Sequence, residues 1–248
     1  YTIVLMHKVY KINENNLKVV LFNNYKKKFG IDKFENIHSL LNTNKLNEDE
    51  KQFYDTPIQI FGKTDRKSPF VKYFYHLFDT DYTILHEYLH FIIKYIKPLY
   101  PKEEYLVIQK TPNIRFHLPG YSNIGSRDVD ETKEIVGLHH DGEFGHPETE
   151  TNVILPITEM FDTNSIYYET TPNSNIDYNR YNNLKLKENE VFMGYFNKCN
   201  HYNKINKTNI TRVSLDFRII PHSKFCVENK SSVSHNIKFK IGDYYMLI

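Results

Sequence analysis

The eleven residues Thr211–Pro221, with the sequence TRVSLDFRIIP, alternate between polar and apolar side chains along most of their length. Successive side chains of a β-strand point to opposite faces, so this stretch predicts a strand with one apolar and one polar face. The apolar residues are Val213, Leu215, Phe217 and Ile219, and the polar residues are Arg212, Ser214, Asp216 and Arg218. Two interpretations follow. The polar face lies in solvent, as in an ordinary half-exposed strand, or it lines the interior of a β-barrel while the apolar face packs beneath helices.

Other short strand-like runs, separated by turn residues, continue from Glu104 to the end of the chain. They are Tyr105–Gln109, Ile114–Leu118, Val136–His139, Thr151–Ile157, Ser165–Glu169, Glu190–Phe196 and Tyr244–Ile248. Many short strands without intervening helices indicate a barrel or a two-sheet jelly roll. A polar segment, Thr170–Asn183, interrupts them and is predicted to be a lid or a long loop. We therefore expect an all-β core with the double-stranded β-helix (jelly-roll or cupin-like) fold.

The first hundred residues have a different pattern. A strand-like start at Ile3–Val9 precedes predicted helices at Lys33–Leu46, Pro69–Phe78 and Asp81–Lys97. The last of these has Asp and Thr at its start, apolar residues at helical spacing and a proline directly after it, which are typical helix signals. The sequence thus predicts one structural unit. Residues 1–103 form a mainly helical N-terminal region that packs on a catalytic core of residues 104–248.

Composition narrows the classes of function. The chain of 248 residues carries a formal net charge of +2 with both signs well mixed, which does not favour a nucleic-acid surface held by phosphate contacts. No apolar run approaches the roughly 20 residues that span a bilayer, so no membrane partner is expected. The only two cysteines, Cys199 and Cys226, suggest a reducing compartment. We expect a cytoplasmic protein with a small-molecule substrate, of undefined oligomeric state.

The segment Gly137–Gly142, GLHHDG, contains the first candidate for chemistry. In an extended segment His139 and Asp141 share a face, while His140 points away. An imidazole and a carboxylate at this spacing can supply two of the three ligands of a 2-His-1-carboxylate facial triad. On the strand predicted over Thr211–Pro221, the planar guanidinium of Arg212 could clamp a carboxylate of 2-oxoglutarate with two parallel hydrogen bonds. Arg218, on the same face, would be a second anion contact or a partner of Asp216.

Four blocks of sequence carry a family resemblance. They are Gln109–Gly120, His139–Pro147, Thr151–Thr158 and Thr211–Pro221, and they span about half of the chain. The order of H-x-D, a gap of about sixty residues, a second histidine and then an arginine on the next strand resembles the Fe(II)- and 2-oxoglutarate-dependent oxygenases of the double-stranded β-helix fold. Within these, the chain is most similar to the phytanoyl-CoA-dioxygenase-like branch, which includes the streptomycin-biosynthesis oxygenase family.

The resemblance implies the cofactors, the reaction and the site. Iron(II) would be the metal, with 2-oxoglutarate and O2 as cosubstrates, and the product would be a hydroxylated small polar metabolite such as a sugar, a cyclitol or an amino-acid-like compound. The implied metal ligands are His139, Asp141 and His201; the cosubstrate contacts are Arg212, Asn152 and Ser214; substrate or supporting contacts are Arg115, His117, Glu143, His146, Tyr168 and Arg218. Since related halogenases carry a small residue at the position of Asp141, the resemblance also implies hydroxylation or desaturation rather than halogenation.

Two other classes of function remain open at this point. One is a metal-binding, cupin-like isomerase or binding protein that does not use 2-oxoglutarate. The other is a zinc hydrolase, because His86, Glu87 and His90 form an H-E-x-x-H motif on a predicted helix. The extended form of that motif is absent, since Ile93 and Ile96 stand where it requires glycine and a third histidine.

Overall fold

A computed structural model describes residues 7–55, 65–123, 135–172, 177–227, 230–231 and 237–248. Its N-terminal region is mainly helical, as predicted. The α-helices are α1 (Asn16–Phe29), α2 (Glu48–Asp55), α3 (Pro69–Thr80) and α4 (Tyr82–Phe91). The helix predicted over Lys33–Leu46 is a 3-10 helix, Phe34–Asn42. No helix in these ranges is both long and apolar enough to cross a membrane.

The helix predicted over Asp81–Lys97 changes its character along its length. Asp81 caps α4 by accepting a hydrogen bond from the Thr83 amide at 2.9 Å, as the sequence indicated. After Phe91 the chain continues as a π-helical turn, Ile92–Ile96, and then as a 3-10 turn, Lys97–Leu99. The prediction that Pro98 ends the helix was wrong, because a proline fits the first turn of a new helical segment, where its missing N–H needs no partner.

The rest of the chain is β-rich. The strands are β1 (Lys8–Lys11), β2 (Leu106–Gln109), β3 (Asn113–His117), β4 (Val136–His139), β5 (Thr151–Pro156), β6 (Ile166–Glu169), β7 (Tyr181–Asn183), β8 (Glu190–Gly194), β9 (His201–Asn203), β10 (Arg212–Pro221) and β11 (Tyr245–Leu247). One sheet has seven strands in the order β1-β8-β5-β10-β2-β11, with β3 also paired to β10. The other has four, in the order β4-β9-β6-β7. All these strand pairs are antiparallel.

The eight strands predicted from Glu104 onward are all present, with ends shifted by no more than two residues. The first predicted strand, Ile3–Val9, lies largely outside the described residues, and β1 begins at Lys8. Helices α1 and α2 and the short strands β7 and β9 were not predicted. All of β7 falls in the segment Thr170–Asn183, which was expected to be a lid or a long loop. The division of the chain between residues 103 and 104 stays a prediction.

Strand β10 lies at the centre of the large sheet, and all ten of its residues are buried. It pairs with β2, β3 and β5. Its apolar residues join the main hydrophobic core, which also contains the buried faces of the N-terminal helices. Its polar residues are also inaccessible, so the alternative with a solvent-exposed polar face was wrong. Instead, the strand separates a hydrophobic core from a polar interior.

The apolar side of β10 should control stability. Phe217 is fully buried and its ring meets that of Tyr88 edge-on at 5.2 Å. We expect Phe217→Ala to lower the free energy of unfolding by about 3–5 kcal/mol, because it removes a large buried side chain and leaves a cavity. Tyr82→Ala is the control, since that ring is 87% exposed and its removal should change stability by about 0.5 kcal/mol or less. Urea denaturation would measure both; equal losses would contradict this account of the core.

Candidate metal centre

His139 and His201 meet because their strands are neighbours in the small sheet. They are directly paired residues of β4 and β9, and their ring centroids lie 4.3 Å apart. The pairing of β4 shifts register between Val136 and His139, at a bulge. Gly137 sits in this bulge with φ of 67°, a left-handed conformation that glycine adopts without strain. The bulge sets the direction in which the His139 side chain leaves the strand.

Asp141 completes a cluster of three potential ligands. It is 4% exposed and lies at the start of a 3-10 turn, Asp141–Phe144, two residues beyond the end of β4. Its Oδ1 atom is 3.6 Å from Nε2 of His139 and 3.7 Å from Nε2 of His201. The candidate ligand atoms of these three residues all lie within 4.8 Å of one another. In the part of the chain that the structure describes, this is the only cluster of three or more such residues.

Hydrogen bonds to the backbone orient both imidazoles. Nδ1 of His139 lies 2.6 Å from the Gly137 carbonyl oxygen, and Nδ1 of His201 lies 3.3 Å from that of Cys199. If each Nδ1 carries the proton that it donates, both Nε2 lone pairs point toward Asp141 and are available to a metal. The arrangement is that of two neutral imidazole ligands facing one carboxylate oxygen.

Electrostatics keep most of this cluster in the forms that bind a metal. Burial lowers the pKa of His201 to about 4, and neighbouring His139 adds to the effect. Burial opposes ionisation of Asp141, but the Arg218 guanidinium and the two imidazoles hold its pKa well below the usual value. Burial also acts to lower the pKa of His139, although its contact with Asp141 raises that pKa overall. Metal binding requires a neutral imidazole and an ionised carboxylate.

The three residues line a cavity of about 320 Å³. Other residues predicted from the sequence line it too, namely Arg212, Asn152, Ser214, Arg115 and Arg218. Further lining side chains come from both sheets and include Asn203, Asp216, Ile154, Ile166 and Phe196. A cleft with a few convergent polar groups and perturbed pKa values is the usual form of a ligand site.

Arg212 is the cavity residue with the least compensated charge. It is 2% exposed, and among the described residues its guanidinium makes only long contacts of 3.4 Å, to Ser214 Oγ and Asn203 Oδ1. No described carboxylate lies within ion-pair distance, and the buried Nε atom has no hydrogen-bond partner among the described residues. Burial lowers the pKa of Arg212 to about 9, and the nearby positive charge of Arg115 adds to this effect. A buried cation without a partner is costly, so this position favours an anionic ligand.

Arg218, by contrast, contacts two carboxylates through its Nη atoms, while its Nε has no hydrogen-bond partner among the described residues. Its Nη2 donates to Asp141 Oδ2 at 2.7 Å, and its Nη1 donates to Asp216. Asp216 also accepts from Arg115 Nε at 2.9 Å, and Arg115 in turn pairs with Asp65. Of the two roles expected for Arg218, the structure therefore places it as the partner of Asp216, with Asp141 as an additional partner. A row of contacting side chains therefore alternates between negative and positive charge, in the order Asp141, Arg218, Asp216 and Arg115.

Asn152 and Ser214 differ in what they touch. The Asn152 amide donates to Asp141 Oδ2 at 2.7 Å, and its carbonyl oxygen accepts from the Phe196 amide at 3.0 Å. Both ends of this side chain therefore serve protein groups at the metal cluster. Ser214 Oγ lies beside the Arg212 guanidinium, on the same face of β10. Its position fits the cosubstrate contact expected of it, which stays a prediction.

Four predicted residues do not line the cavity. The ring nitrogens of His117 lie 3.1 and 3.0 Å from backbone carbonyl oxygens of Asn164 and Tyr121, so this buried histidine joins chain segments. Glu143 is exposed and lies 3.4 Å from His140. His146 pairs with the buried Glu150 at 2.8 Å. Tyr168 packs on Phe192 and Phe196.

The H-E-x-x-H motif lies on the surface of α4. The side chains of His86 and His90 are 73% and 45% exposed. Nδ1 of His86 lies 3.3 Å from Glu87 Oε1, and Nδ1 of His90 lies 3.6 Å from Glu87 Oε2. No third ligand joins them to form a cluster in the described ranges. The helix thus presents the two histidines on its outer face, while the Glu87 side chain is only 15% exposed.

Three contributors to the site escaped the sequence analysis. Phe196 stacks on the His201 ring at a centroid distance of 4.5 Å, and Asn203 contacts Arg212. Asp65 reaches the polar interior from the N-terminal region. If β9 had been predicted, Asn203 could have been found, because residues two apart on a strand share a face and Asn203 follows His201 by two. Nothing in the local sequence signals the other two.

These contacts predict which histidines hold a metal. Loss of one of three clustered ligands should abolish stoichiometric metal binding, so we expect His139→Ala to take up no Mn(II) in anaerobic calorimetric titration. The double variant His86→Gln/His90→Gln is the control and should bind one equivalent as the unaltered protein does. Its stability should change by about 1 kcal/mol at most. Loss of the metal in the double variant, with His139 and His201 intact, would instead place the metal on α4.

Comparison with known proteins gives one relative by sequence. No family model matches the chain. It is 26% identical over 185 residues to the streptomycin biosynthesis protein StrG of Streptomyces griseus, covering 74% of this chain and 78% of that protein. This relative confirms the resemblance to the streptomycin-biosynthesis family indicated by the sequence blocks.

Among solved structures, the non-haem monooxygenase ThoJ in complex with nickel is 11% identical, with a TM-score of 0.45, covering 88% of this chain and 74% of that one. EvdO2 from Micromonospora carbonacea var. aurantiaca, complexed with 2-oxoglutarate, is 12% identical, with a TM-score of 0.46, covering 88% and 87%. At these scores neither likeness bears on the chemistry of this chain. The sequence relationship to StrG and the His139-Asp141-His201 cluster are what connect the chain to the family that its motifs resemble.

Proposed function

We propose that this protein is an Fe(II)- and 2-oxoglutarate-dependent dioxygenase that hydroxylates a C–H bond of a small polar metabolite. One observation carries the proposal. A buried guanidinium, Arg212, which forms an ion pair with no described carboxylate, lines the same cavity as a cluster of two imidazoles and one carboxylate. The metal cluster alone is compatible with several classes of protein. The Arg212 guanidinium alone is compatible with the binding of any anion. Together they match a cosubstrate that binds a metal at one end and offers a carboxylate at the other.

The cluster supports a single divalent metal ion such as Fe(II). Two Nε2 atoms and one carboxylate oxygen form the donor set that is typical of non-haem iron oxygenases and leaves other coordination positions open. Their mutual distances of 3.6 and 3.7 Å lie in the range that one ion can bridge. His139, Asp141 and His201 would hold the ion. When bound, iron would supply the activation of O2 that oxidises the substrate.

Arg212 would hold the carboxylate of 2-oxoglutarate that is remote from the metal. A guanidinium presents two parallel N–H donors to a carboxylate, and the contact is strong where water is excluded. The two groups that now contact Arg212, Ser214 Oγ and Asn203 Oδ1, are neutral and lie at 3.4 Å. They can orient the guanidinium without neutralising it, so the charge remains available to the ligand.

The chemistry requires the chain to bind, orient and shield its reactants. The overall reaction consumes R–H, 2-oxoglutarate and O2 and yields R–OH, succinate and CO2, so that two electrons come from the C–H bond and two from the cosubstrate. Asp141 stays ionised through the reaction because Arg218 stabilises its charge. Phe196 packs on His201, and Ile154 and Ile166 line the same cavity. These apolar groups limit access of water to the place where the oxidant forms.

The cavity favours a small polar substrate. A volume of about 320 Å³ must hold the cosubstrate and the reacting part of the substrate. Arg115, whose side chain is 30% exposed, and Asn123 also line the cavity and would contact hydroxyl or carbonyl groups of a sugar, cyclitol or amino-acid-like compound. We assign the two sheets to the double-stranded β-helix fold, since the metal cluster and Arg212 lie between them. The cytoplasmic location stays a prediction.

The class of reaction can be tested without knowing the substrate. Anaerobic addition of Fe(II) and 2-oxoglutarate should produce a weak visible charge-transfer band, because the keto acid chelates iron through positions that the protein leaves open. A metabolite screen should then identify compounds that couple O2 uptake to succinate release. Ser223→Ala, a surface change, is the control and should keep the band. A His139→Ala protein with the band and full turnover would remove the assignment.

Arg212 separates this function from a cupin-like protein that does not use 2-oxoglutarate. Breaking a buried guanidinium–carboxylate pair from one side costs about 3–5 kcal/mol. We therefore expect Arg212→Ala to weaken 2-oxoglutarate binding about a hundredfold to a few thousandfold. Arg212→Lys should recover only part of the loss, since a point charge cannot reproduce a two-pronged contact. Titration of the metal-loaded protein, followed by the visible band, measures both.

Metal binding is the internal control for these variants. Arg212 contacts none of the three metal-binding residues, so Mn(II) affinity should stay within about threefold of the unaltered value. If Arg212→Ala binds 2-oxoglutarate normally, the protein does not use this cosubstrate as proposed.

A further inference from the structure

The two oxygens of Asp141 have different surroundings. Oδ1 faces Nε2 of His139 and of His201, at 3.6 and 3.7 Å. Oδ2 receives two N–H donors instead, the Asn152 amide and Nη2 of Arg218, each at 2.7 Å. The carboxylate is thus divided into one oxygen that faces the metal-binding cluster and one that the protein itself saturates.

Both donors are fixed by the large sheet. Asn152 of β5 and Arg218 of β10 are directly paired residues, so they approach Asp141 from adjacent strands at the same level. The Asn152 carbonyl oxygen accepts from the Phe196 amide at 3.0 Å, which holds the amide group in one orientation. Arg218 is fixed by its second contact, to Asp216, which Asn113 also reaches at 3.0 Å. Neither donor is free to turn toward a ligand.

We propose that Asn152 and Arg218 are positioning residues that reserve a single oxygen of Asp141 for the metal. A carboxylate that is free to rotate can bind a metal through both oxygens and so take up two coordination positions. With Oδ2 saturated, Asp141 takes only one. The positions needed by a chelating keto acid and O2 then stay open. The inference deepens the proposed function, because it assumes that the cluster binds a metal, and it moves Asn152 from cosubstrate contact to support of a ligand.

Charge and orientation make opposite predictions for Arg218. A guanidinium beside a dication is repulsive, so if Arg218 acted only through its charge, removing it would tighten metal binding. If it acts by holding Asp141, removal should weaken binding, as loss of a group that orients a metal ligand typically does by 10–100-fold. Asn152 has no charge and donates to the same oxygen. A change at Asn152 therefore tests orientation without altering the electrostatics of the site.

The main experiment compares metal binding in the absence of 2-oxoglutarate. Co(II) is the probe, because its visible absorption reports coordination number as well as occupancy. We expect Asn152→Leu, which keeps the side-chain volume and removes both hydrogen bonds, to bind Co(II) 10–100-fold more weakly and with a changed spectrum. Arg218→Lys keeps the charge but cannot reach Asp141 and Asp216 together, so it should weaken binding in the same direction. Both variants, once saturated with metal, should also bind 2-oxoglutarate more weakly than the unaltered protein, because an Asp141 that binds through both oxygens occupies a position that the keto acid needs.

Thr158→Val is the matched control for loss of buried polar contacts. The Thr158 hydroxyl is buried just beyond the end of β5 and bonds the backbone of Thr211 and Val213, away from Asp141. This variant should be less stable but should bind Co(II) with unchanged affinity and spectrum. Circular dichroism of each variant establishes whether it is folded. If Asn152→Leu does not fold, the test rests on Arg218→Lys.

The outcomes separate this inference from the proposed function. Co(II) binding by the folded variants that is as tight as in the unaltered protein, with the same spectrum, overturns the positioning role. Tighter binding by Arg218→Lys would also overturn it. Failure of the unaltered protein to bind Co(II) at all overturns the proposed function instead.

Discussion

The polar interior depends on the compensation of buried charges along β10. Asp216 and Arg218 lie on one face of a strand that is buried on both sides. An isolated charge in such a place would cost several kcal/mol in lost hydration, and pairing offsets this only when the geometry is good. Arg218 satisfies Asp216 and Asp141 together, and Arg115 satisfies Asp216 and Asp65. The position of each charged side chain is therefore tied to that of the next.

This arrangement joins parts of the chain that are far apart in sequence. The small sheet supplies His139 and His201 as a cross-strand pair, and the large sheet supplies Asn152 and Arg218 as another. Asp141 stands between the two pairs and contacts both. The N-terminal region takes part through Asp65, so the helical region does more than cover the apolar side of β10. A site built from paired strands is held more rigidly than one carried by loops.

The sequence predicted the central strand and the spacing of two metal ligands, but not the residues that contact them. Alternation over Thr211–Pro221 predicted a strand with one polar and one apolar face, because the period of a strand is set by local geometry. It left open whether the polar face lies in solvent or in the interior. The H-x-D spacing placed His139 and Asp141 on one side. By contrast, β9 has only three residues, and its pairing with β4 and β6 exists only after the sheet has formed. The contacts of Arg218 likewise depend on the register between strands. Nothing in the local sequence indicates that His117 and His146 lie outside the cavity.

The guanidinium of Arg212, which pairs with no described carboxylate, would link the folding equilibrium to the supply of anions if it binds the cosubstrate as proposed. A dicarboxylate that pairs with Arg212 binds the folded chain and not the unfolded chain, so it raises stability by RT ln(1 + [L]/Kd). At a concentration one hundred times Kd this amounts to about 2.7 kcal/mol, a large share of the 5–15 kcal/mol typical of a domain. Resistance to heat and to proteases should therefore follow the concentration of such acids around the protein, whether or not a substrate is present.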